Sequence, residues 1–175
     1  MADTWVISDT HFNHAAILTF KDYAGKPPRD GFTDVEHMNE HMLDKWNETV
    51  KPNDTIYHLG DVMFGHDKVD WMEANFAKLP GKKHLILGNH DNPKFMLPYF
   101  KEILFWKQMQ DFGLILSHIP LHESTLAETH RWGEGGVLNV HGHIHSNPSP
   151  EGPYKCVSVE QIDYTPVNIE ELRIA

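Results

Sequence analysis

Residues that can do chemistry stand at the ends of short apolar runs in this sequence. The densest example is "HGHIH", residues 141–145, in which three histidines alternate with one glycine and one isoleucine. Four more clusters follow apolar runs in the same way, and the five together supply Asp9, His11, Asp61, Asn89, His90, His118, His143 and His145. Imidazole, carboxylate and carboxamide groups without cysteine suit divalent metals such as manganese, iron or zinc.

This set of donors is larger than one four-coordinate ion requires. Seven of them are enough for two ions if one carboxylate bridges: Asp9, His11, Asp61, Asn89, His118, His143 and His145. Glycine precedes Asp61, Asn89 and His143, which allows sharp turns and a close approach of the backbone to the ions. Two ions about 3.5–4 Å apart can activate water and stabilise both the attacking and the leaving oxygen in phosphoryl transfer.

The composition supports a metal site and argues against several other functions. The chain contains 14 histidines against 15 lysines and arginines, and its net charge is −10. Long nucleic acids are not expected as partners, because a phosphate-binding face needs an excess of positive charge. No apolar run approaches the roughly 20 residues of a membrane helix, and the N-terminus lacks a leader pattern, so we expect a cytoplasmic protein without membrane contact. The single cysteine, Cys156, excludes an internal disulfide, and we expect it to be buried.

The pattern of apolar residues predicts the elements that position these clusters. The length of 175 residues favours one domain over residues 1–175. In the first half, strands (4–8, 55–61 and one within 83–91) alternate with helices, and the long helix of residues 33–50 begins with Thr33 and Glu36 at capping-box spacing. The second half reads mostly as strands, at 102–110, 113–118, 136–143 and 154–162. The chain is therefore predicted to be α/β, and ligands of such sheets lie beyond the carboxyl ends of the strands.

Taken in order, "DTH", "GD", "GNHD", "SH" and "GHIH" resemble the motifs of the calcineurin-like metallophosphoesterase family, from about Asp9 to His145. The resemblance implies a four-layer α/β/β/α sandwich of two mixed sheets flanked by helices. It also implies one metal held by Asp9, His11 and His145, a second held by Asn89, His118 and His143, and Asp61 as the bridge. His90 would not bind metal; it would face the phosphate, stabilising charge or protonating the leaving oxygen.

The activity implied by the resemblance is hydrolysis of a small phosphate ester by a metal-bridged hydroxide, without a phosphoenzyme. The cofactors would be two divalent ions, with manganese expected first and iron, zinc or nickel left open. Nucleotide-like phosphodiesters are favoured as substrates. The alternatives are a phosphomonoesterase with the same site and a non-catalytic protein-binding module on a phosphoesterase scaffold. The oligomeric state is left open.

Several residues near the motifs have two interpretations. Asp91 stands where many relatives carry glutamate; it could orient His90 or cap the following turn. His14 could reach the mouth of the site or lie in the first turn of a helix, and His66 could border the site. Asn89, His90 and Arg131 are candidates for binding the substrate, Arg131 from the polar loop 120–136. His141 lies within its strand and is expected to support the site rather than bind metal.

Overall fold

The computed structural model describes residues 2–65, 69–126 and 136–174. Within these ranges, nine strands form two β-sheets: β1 (Thr4–Ile7), β2 (Thr55–His58), β3 (Lys82–Ile86), β4 (Glu102–Leu104), β5 (Trp106–Met109), β6 (Leu114–Ser117), β7 (Leu138–His141), β8 (Tyr154–Cys156) and β9 (Val167–Asn168).

Both sheets are mixed, as predicted. The first sheet has the strand order β4-β3-β2-β1-β9, in which β1 to β4 run parallel and β9 is antiparallel to β1. The second sheet has the order β5-β6-β7-β8, in which only the β5–β6 pair is antiparallel. Because the strands that precede the polar clusters are parallel within each sheet, their carboxyl ends lie on one edge of that sheet.

In the described part of the chain, four α-helices accompany the sheets: α1 (Val35–Thr49), α2 (Val69–Ala74), α3 (Pro93–Met96) and α4 (Glu123–Leu126). The predicted capping box of α1 is wrong by one residue. Asp34, not Thr33, is the N-cap, and its carboxylate accepts the backbone N–H of His37 at 2.8 Å. The C-terminal "NIEELRI" forms a 3₁₀ helix over Ile169–Leu172. Within the described ranges, none of the helices has the length and apolar character needed to cross a bilayer.

The apolar core is arranged in the layers expected of the predicted sandwich. Met38, Met42 and Trp46 of α1 pack with residues of β1, β2 and β3 on the outer side of the first sheet. A second cluster, including Val6 and Leu116, fills the space between the two sheets. On the outer side of the second sheet, Leu126 of α4 packs on that sheet with Ile115 and Val137. The α/β/β/α order is confirmed, although in the described part of the chain the fourth layer includes only the single turn of α4.

The single strand predicted over residues 102–110 is two strands in the structure. Residues 102–110 were expected to form a continuous strand, but β4 belongs to the first sheet and β5 to the second, with Phe105 between them. The chain uses this residue to cross from one sheet edge to the other, which leaves the Phe105 side chain 77 % exposed. An apolar run does not reveal such a change of sheet, because strands of either sheet are built from the same residue types.

Candidate metal centre

The predicted donors come together where the two sheets meet. Asp9 and His11 follow β1, Asp61 follows β2 and Asn89 follows β3; His118 directly follows β6, and His143 and His145 follow β7. On this side the sheets are joined by a parallel bridge between Ser8 and Ser158 and by a bond from the Ser8 N–H to the Val157 carbonyl (3.0 Å). The site is therefore built from strand ends of both sheets.

The first group of donors is Asp9, His11 and His145, whose ligand atoms all lie within 4.8 Å of one another. Asp9 and His11 are buried, at 0 % and 2 % exposed. Asp9 Oδ1 and both ring nitrogens of His11 have no hydrogen-bond partner among the described residues. Buried polar atoms almost always have a partner, so these atoms fit a cation between them.

The second group is Asp9, Asp61 and His118, again within 4.8 Å. Asp61 Oδ2 lies 3.5 Å from His11 Nε2 and also 3.5 Å from His118 Nε2. Two donors that bind one ion at about 2.0–2.2 Å each lie about 3 Å apart. This carboxylate oxygen is therefore placed between two imidazoles that approach it from different strand ends.

Asn89 connects the remaining histidines. Its Oδ1 lies 2.9 Å from His118 Nε2 and 3.0 Å from His143 Nδ1, so these three donors also have the spacing of ligands to one ion. The other nitrogen of His118, Nδ1, donates to the Leu59 carbonyl at 2.7 Å. This bond leaves the Nε2 lone pair free, which is the arrangement usual for metal-binding histidine.

The backbone at the donors is held in an unusual conformation. Positive φ angles occur at Asp9 (57°), His11 (45°), Asp61 (56°), His143 (73°) and His145 (52°). Residues other than glycine rarely adopt this left-handed region, and such strain concentrates at functional sites. Simple alternation along an extended strand does not describe "HGHIH", because the chain turns at His143 and again at His145.

Glycine permits the close approach of these turns. A Cβ on Gly88 would lie 2.1 Å from Asp61 Oδ1, and one on Gly142 would lie 2.3 Å from Asp9 Oδ2. The predicted role of the glycines before Asn89 and His143 is thereby supported by the packing.

The electrostatics at two of the donors, His11 and His143, favour neutral imidazole. Burial, with the charge of Arg29 beside it, lowers the pKa of His11 far below its usual range. Burial also lowers the pKa of His143, and the electrostatic effect of His118 lowers it further. Burial raises the pKa of Asp61, since a carboxylate without a counter-ion is costly there. Neutral histidine is the form that binds metal, and a bound cation would stabilise the Asp61 carboxylate.

His90 stands at the open side of the site. It is exposed, and its backbone N–H donates to Asp61 Oδ1 at 2.9 Å. Its ring centroid lies 5.6 Å from that of His11. The structure places His90 beside the donors but in solvent, where a substrate can reach it.

Asp91 has neither of the two roles considered for it. Its carboxylate accepts the backbone N–H groups of Asp61 (2.9 Å), Val62 (3.0 Å) and Gly88 (2.9 Å). The cap of α3 is Asn92 instead. Asp91 thus fixes the loop that carries Asp61 against the end of β3.

Two functional candidates were missed in the sequence. Glu160 accepts a hydrogen bond from His145 Nδ1 at 2.9 Å and forms a 2.8 Å ion pair with Arg29 Nε. Arg29 is 1 % exposed and donates to the backbone carbonyls of Asp9 and Thr10. Burial opposes charge on both His145 and Glu160. The hydrogen bond from His145 to Glu160 nevertheless raises the pKa of His145, and the charge of Arg29 lowers the pKa of Glu160. Neither residue lies near a recognisable motif; only their burial in the fold reveals them.

The other histidines and the loop candidate are placed as follows. His141 is fully buried, with Nδ1 against the Gly142 carbonyl and Nε2 against the Ser149 hydroxyl, consistent with a supporting role. His14 precedes the 3₁₀ helix Ala15–Thr19 as its N-cap, and its ring also lies 5.4 Å from that of His11. His66 and Arg131 lie outside the described residues.

Comparison with known proteins agrees with this geometry. The profile of the calcineurin-like phosphoesterase family matches residues 3–173. An uncharacterised protein of Methanocaldococcus jannaschii is 32 % identical, covering 97 % of this chain and 89 % of that protein. The gene 66 protein of Mycobacterium phage D29 is 30 % identical, in a match that covers 83 % of this chain and 80 % of the phage protein.

Among solved structures, a protein of unknown function from Aquifex aeolicus superimposes with a TM-score of 0.75 at 31 % identity, covering 98 % of both chains. The match to the family profile extends over nearly the whole sequence and includes every strand end that carries a donor. The chain therefore belongs to the calcineurin-like phosphoesterase family and is a metal-dependent hydrolase of phosphoric esters.

Proposed function

We propose that the chain is a dinuclear phosphoesterase that hydrolyses small phosphate esters, with phosphodiesters favoured over monoesters. The observation that carries the proposal is the position of Asp61 Oδ2, 3.5 Å from both His11 Nε2 and His118 Nε2. A carboxylate oxygen shared between two separate sets of imidazoles is what a bridge between two cations requires.

The donors divide into two sets around this bridge. Asp9, His11 and His145 would hold one ion, and Asn89, His118 and His143 the other. Divalent ions, manganese first and iron, zinc or nickel as alternatives, would supply Lewis acidity toward the phosphoryl oxygens and toward water. The orphaned Asp9 Oδ1 and His11 Nε2 support the first set. The short distances around Asn89 Oδ1 support the second.

The protein itself positions the substrate and supplies a proton. The donors Asp9, His11, Asp61 and His118 are buried and form the floor of the site, whereas Asn89, His90 and His143 are exposed above it. A phosphate on this floor would have His90 within reach. In our proposal His90 hydrogen-bonds a phosphoryl oxygen and gives a proton to the departing alcohol, a role that imidazole fills well near neutral pH.

The substrate is proposed to be small. The net charge of −10 disfavours long nucleic acids, while cations in the site would still attract a single phosphate group. The exposed rim of Asn89, His90 and His143 leaves space for a second ester group, which favours a diester. All seven predicted donors are present, and the buried Asp9 Oδ1 and His11 ring nitrogens have no hydrogen-bond partner among the described residues. Both observations favour catalysis over a binding module on the same scaffold.

The test compares a chromogenic phosphodiester with the matching monoester. Manganese-loaded protein should hydrolyse bis(p-nitrophenyl) phosphate faster than p-nitrophenyl phosphate. Asp61→Asn should lower both the rate and the number of bound ions, measured by elemental analysis. His90→Gln should keep two ions per chain and lower kcat by roughly 100-fold or more, as loss of a general acid does.

A matched control is His84→Gln, on β3 and paired with Glu102 at 3.2 Å, which should leave both activity and metal content unchanged. The dinuclear proposal is wrong if saturated wild-type protein binds a single ion. The catalytic proposal is wrong if wild-type protein is as inert as Asp61→Asn with every metal tried.

A further inference from the structure

Two phenylalanines are half exposed beside the candidate metal centre. Phe20 is 49 % exposed and Phe64 is 47 % exposed. A single exposed apolar side chain needs no explanation, but both of these rings contact the same buried histidine. That residue, His14, is 7 % exposed and has its ring 5.4 Å from the ring of His11.

Phe64 is covered on one side by His14 and is otherwise half exposed. Its ring is stacked on His14, with centroids 4.1 Å apart and planes at 10°, while Phe20 meets His14 edge-on at 5.4 Å. His14 thus covers one face of the Phe64 ring, while 47 % of the residue remains exposed. The Phe64 centroid is 6.5 Å from that of His90. The Phe64 ring therefore borders the residue proposed to protonate the leaving group.

The position of Phe64 is fixed relative to the donors. Its backbone N–H donates to the Phe12 carbonyl at 2.9 Å, and Phe12 pairs with Met63 in a parallel bridge. Phe12 directly follows His11, and Phe64 lies three residues after Asp61. The loops that place two donors thus also place the Phe64 ring, so that its distance from His11 and Asp61 is set by the fold.

One small cavity, beside His145, is too small to hold the organic part of a substrate. It is bordered by Phe20, Lys21, His145 and Asn147 and has a volume of about 100 Å³. Pockets that enclose a whole small molecule are usually about 300 Å³ or larger. Phe64 does not border this cavity and offers a half-exposed surface to the organic group of an ester bound at the centre.

We propose that the half-exposed Phe64 stacks on an aromatic group of the substrate, which makes esters of nucleosides or of aryl alcohols the preferred class. This inference rests on the proposed function, because it assumes that the phosphate occupies the metal centre. Stacking suits a planar ring on either a nucleobase or an aryl leaving group, and it contributes affinity without requiring an enclosed pocket.

The test measures binding of phosphonates, which cannot be hydrolysed, to the manganese-loaded protein by titration calorimetry. The probes are phenylphosphonate, an acyclic adenine phosphonate and methylphosphonate. Wild-type protein should bind at least one aromatic probe roughly tenfold more tightly than methylphosphonate. Phe64→Leu, which keeps apolar volume but removes the ring, should abolish that preference without changing the affinity for methylphosphonate. The aromatic probe that shows the preference identifies the class.

Phe105→Leu is the matched control, since Phe105 is exposed where the chain crosses between β4 and β5; it should keep the wild-type preference. Equal binding of all three probes by wild-type protein overturns the inference, and so does an equal loss for all three in Phe64→Leu. Failure of the proposed function is seen separately, as the absence of hydrolysis in the chromogenic assay.

Discussion

At the scale of single residues, the candidate metal donors are oriented by side chains that are not donors themselves. Glu160 accepts a hydrogen bond from His145 Nδ1 and so leaves Nε2 as the nitrogen with a free lone pair. Arg29 holds Glu160 by an ion pair and also donates to the Asp9 and Thr10 carbonyls. A single buried chain of contacts therefore orients donors from β1 and from the loop after β7.

Glu160→Gln should weaken metal binding at the first set of donors. The substitution keeps the volume but removes the charge that orients His145, and losing such a partner typically costs 10–100-fold in metal affinity. The measurement is a competition titration of manganese against a fluorescent chelator, well below the unfolding temperature.

Glu170→Gln is the control for this prediction, because Glu170 forms an exposed ion pair with Arg173, away from the donors. We expect its metal affinity to equal that of the wild type. If Glu160→Gln binds manganese as tightly as the control, then Glu160 serves folding alone and does not position His145.

At the scale of elements, the turns after the strands decide whether donors can converge. Gly142 lies in the turn after β7 and is closely packed. A Cβ at this position would be 2.0 Å from Ser8 Oγ and 2.3 Å from Asp9 Oδ2. Asp9 Oδ2 also accepts bonds from the His143 N–H (2.8 Å) and the Ser158 hydroxyl (2.9 Å). The end of β7 and the end of β1 thus form one packed unit.

Gly142→Ala should reduce metal content more than it reduces folding. The added methyl group must push Asp9 or Ser8 aside, whereas the apolar layers of the sandwich lie elsewhere. Elemental analysis should show a loss of bound manganese while far-ultraviolet circular dichroism stays near that of the wild type. Gly25→Ala is the control, since nothing lies within 4 Å of its added Cβ. Full metal occupancy in Gly142→Ala would contradict the prediction.

How far the sequence alone could predict the site also depends on the elements. Asp9, Asp61 and Asn89 were predictable, because each follows an apolar run and the ends of parallel strands must meet. Glu160 was not, because "VSVEQI" has the pattern of a strand, while the structure ends β8 at Cys156 and forms a 3₁₀ helix from Val159. Contacts between residues as distant as Arg29 and Glu160 have no local signal.

The change of sheet at Phe105 was equally hidden. Apolar content predicts that a segment is buried in a sheet but does not say in which one. The cap of α1 shows a smaller error of the same kind, since Thr33 and Asp34 are both good caps and only the observed bond to the His37 N–H selects Asp34.

At the scale of the whole molecule, the site is the junction of the two sheets, so the forces that hold the sheets together also act on the donors. His58, at the end of β2, illustrates the connection. It is fully buried, its Nδ1 accepts the Gly60 N–H at 3.2 Å, and its Nε2 lies 2.9 Å from the Thr10 hydroxyl. Thr10 in turn donates to the Val62 carbonyl at 2.7 Å. A neutral imidazole here joins the loops that carry Asp9 and Asp61.

The metal-free protein should therefore lose stability on mild acidification. Burial is the main cause that lowers the pKa of His58 from 6.5 to about 3, and the electrostatic effect of His118 is the second. Between pH 6.5 and pH 3, His58 is therefore protonated in the unfolded chain but not in the folded chain. The contribution of His58 to the free energy of unfolding is complete above pH 6.5 and decreases as the pH falls toward 3. Between pH 7.5 and 5.5 the loss from His58 should be roughly 1.4 kcal/mol.

Denaturant unfolding in the presence of a chelator measures this loss, and His58→Gln isolates the part that belongs to His58. Glutamine offers a hydrogen-bonding side chain without a titrating group in this range, so the variant should be less stable at pH 7.5 but should lose less stability on going to pH 5.5. His11 and the other buried histidines remain in both proteins and do not enter the difference. Parallel pH dependences for the two proteins would show that His58 is protonated as easily in the folded chain as in the unfolded one, contrary to the role of neutral imidazole between the two loops.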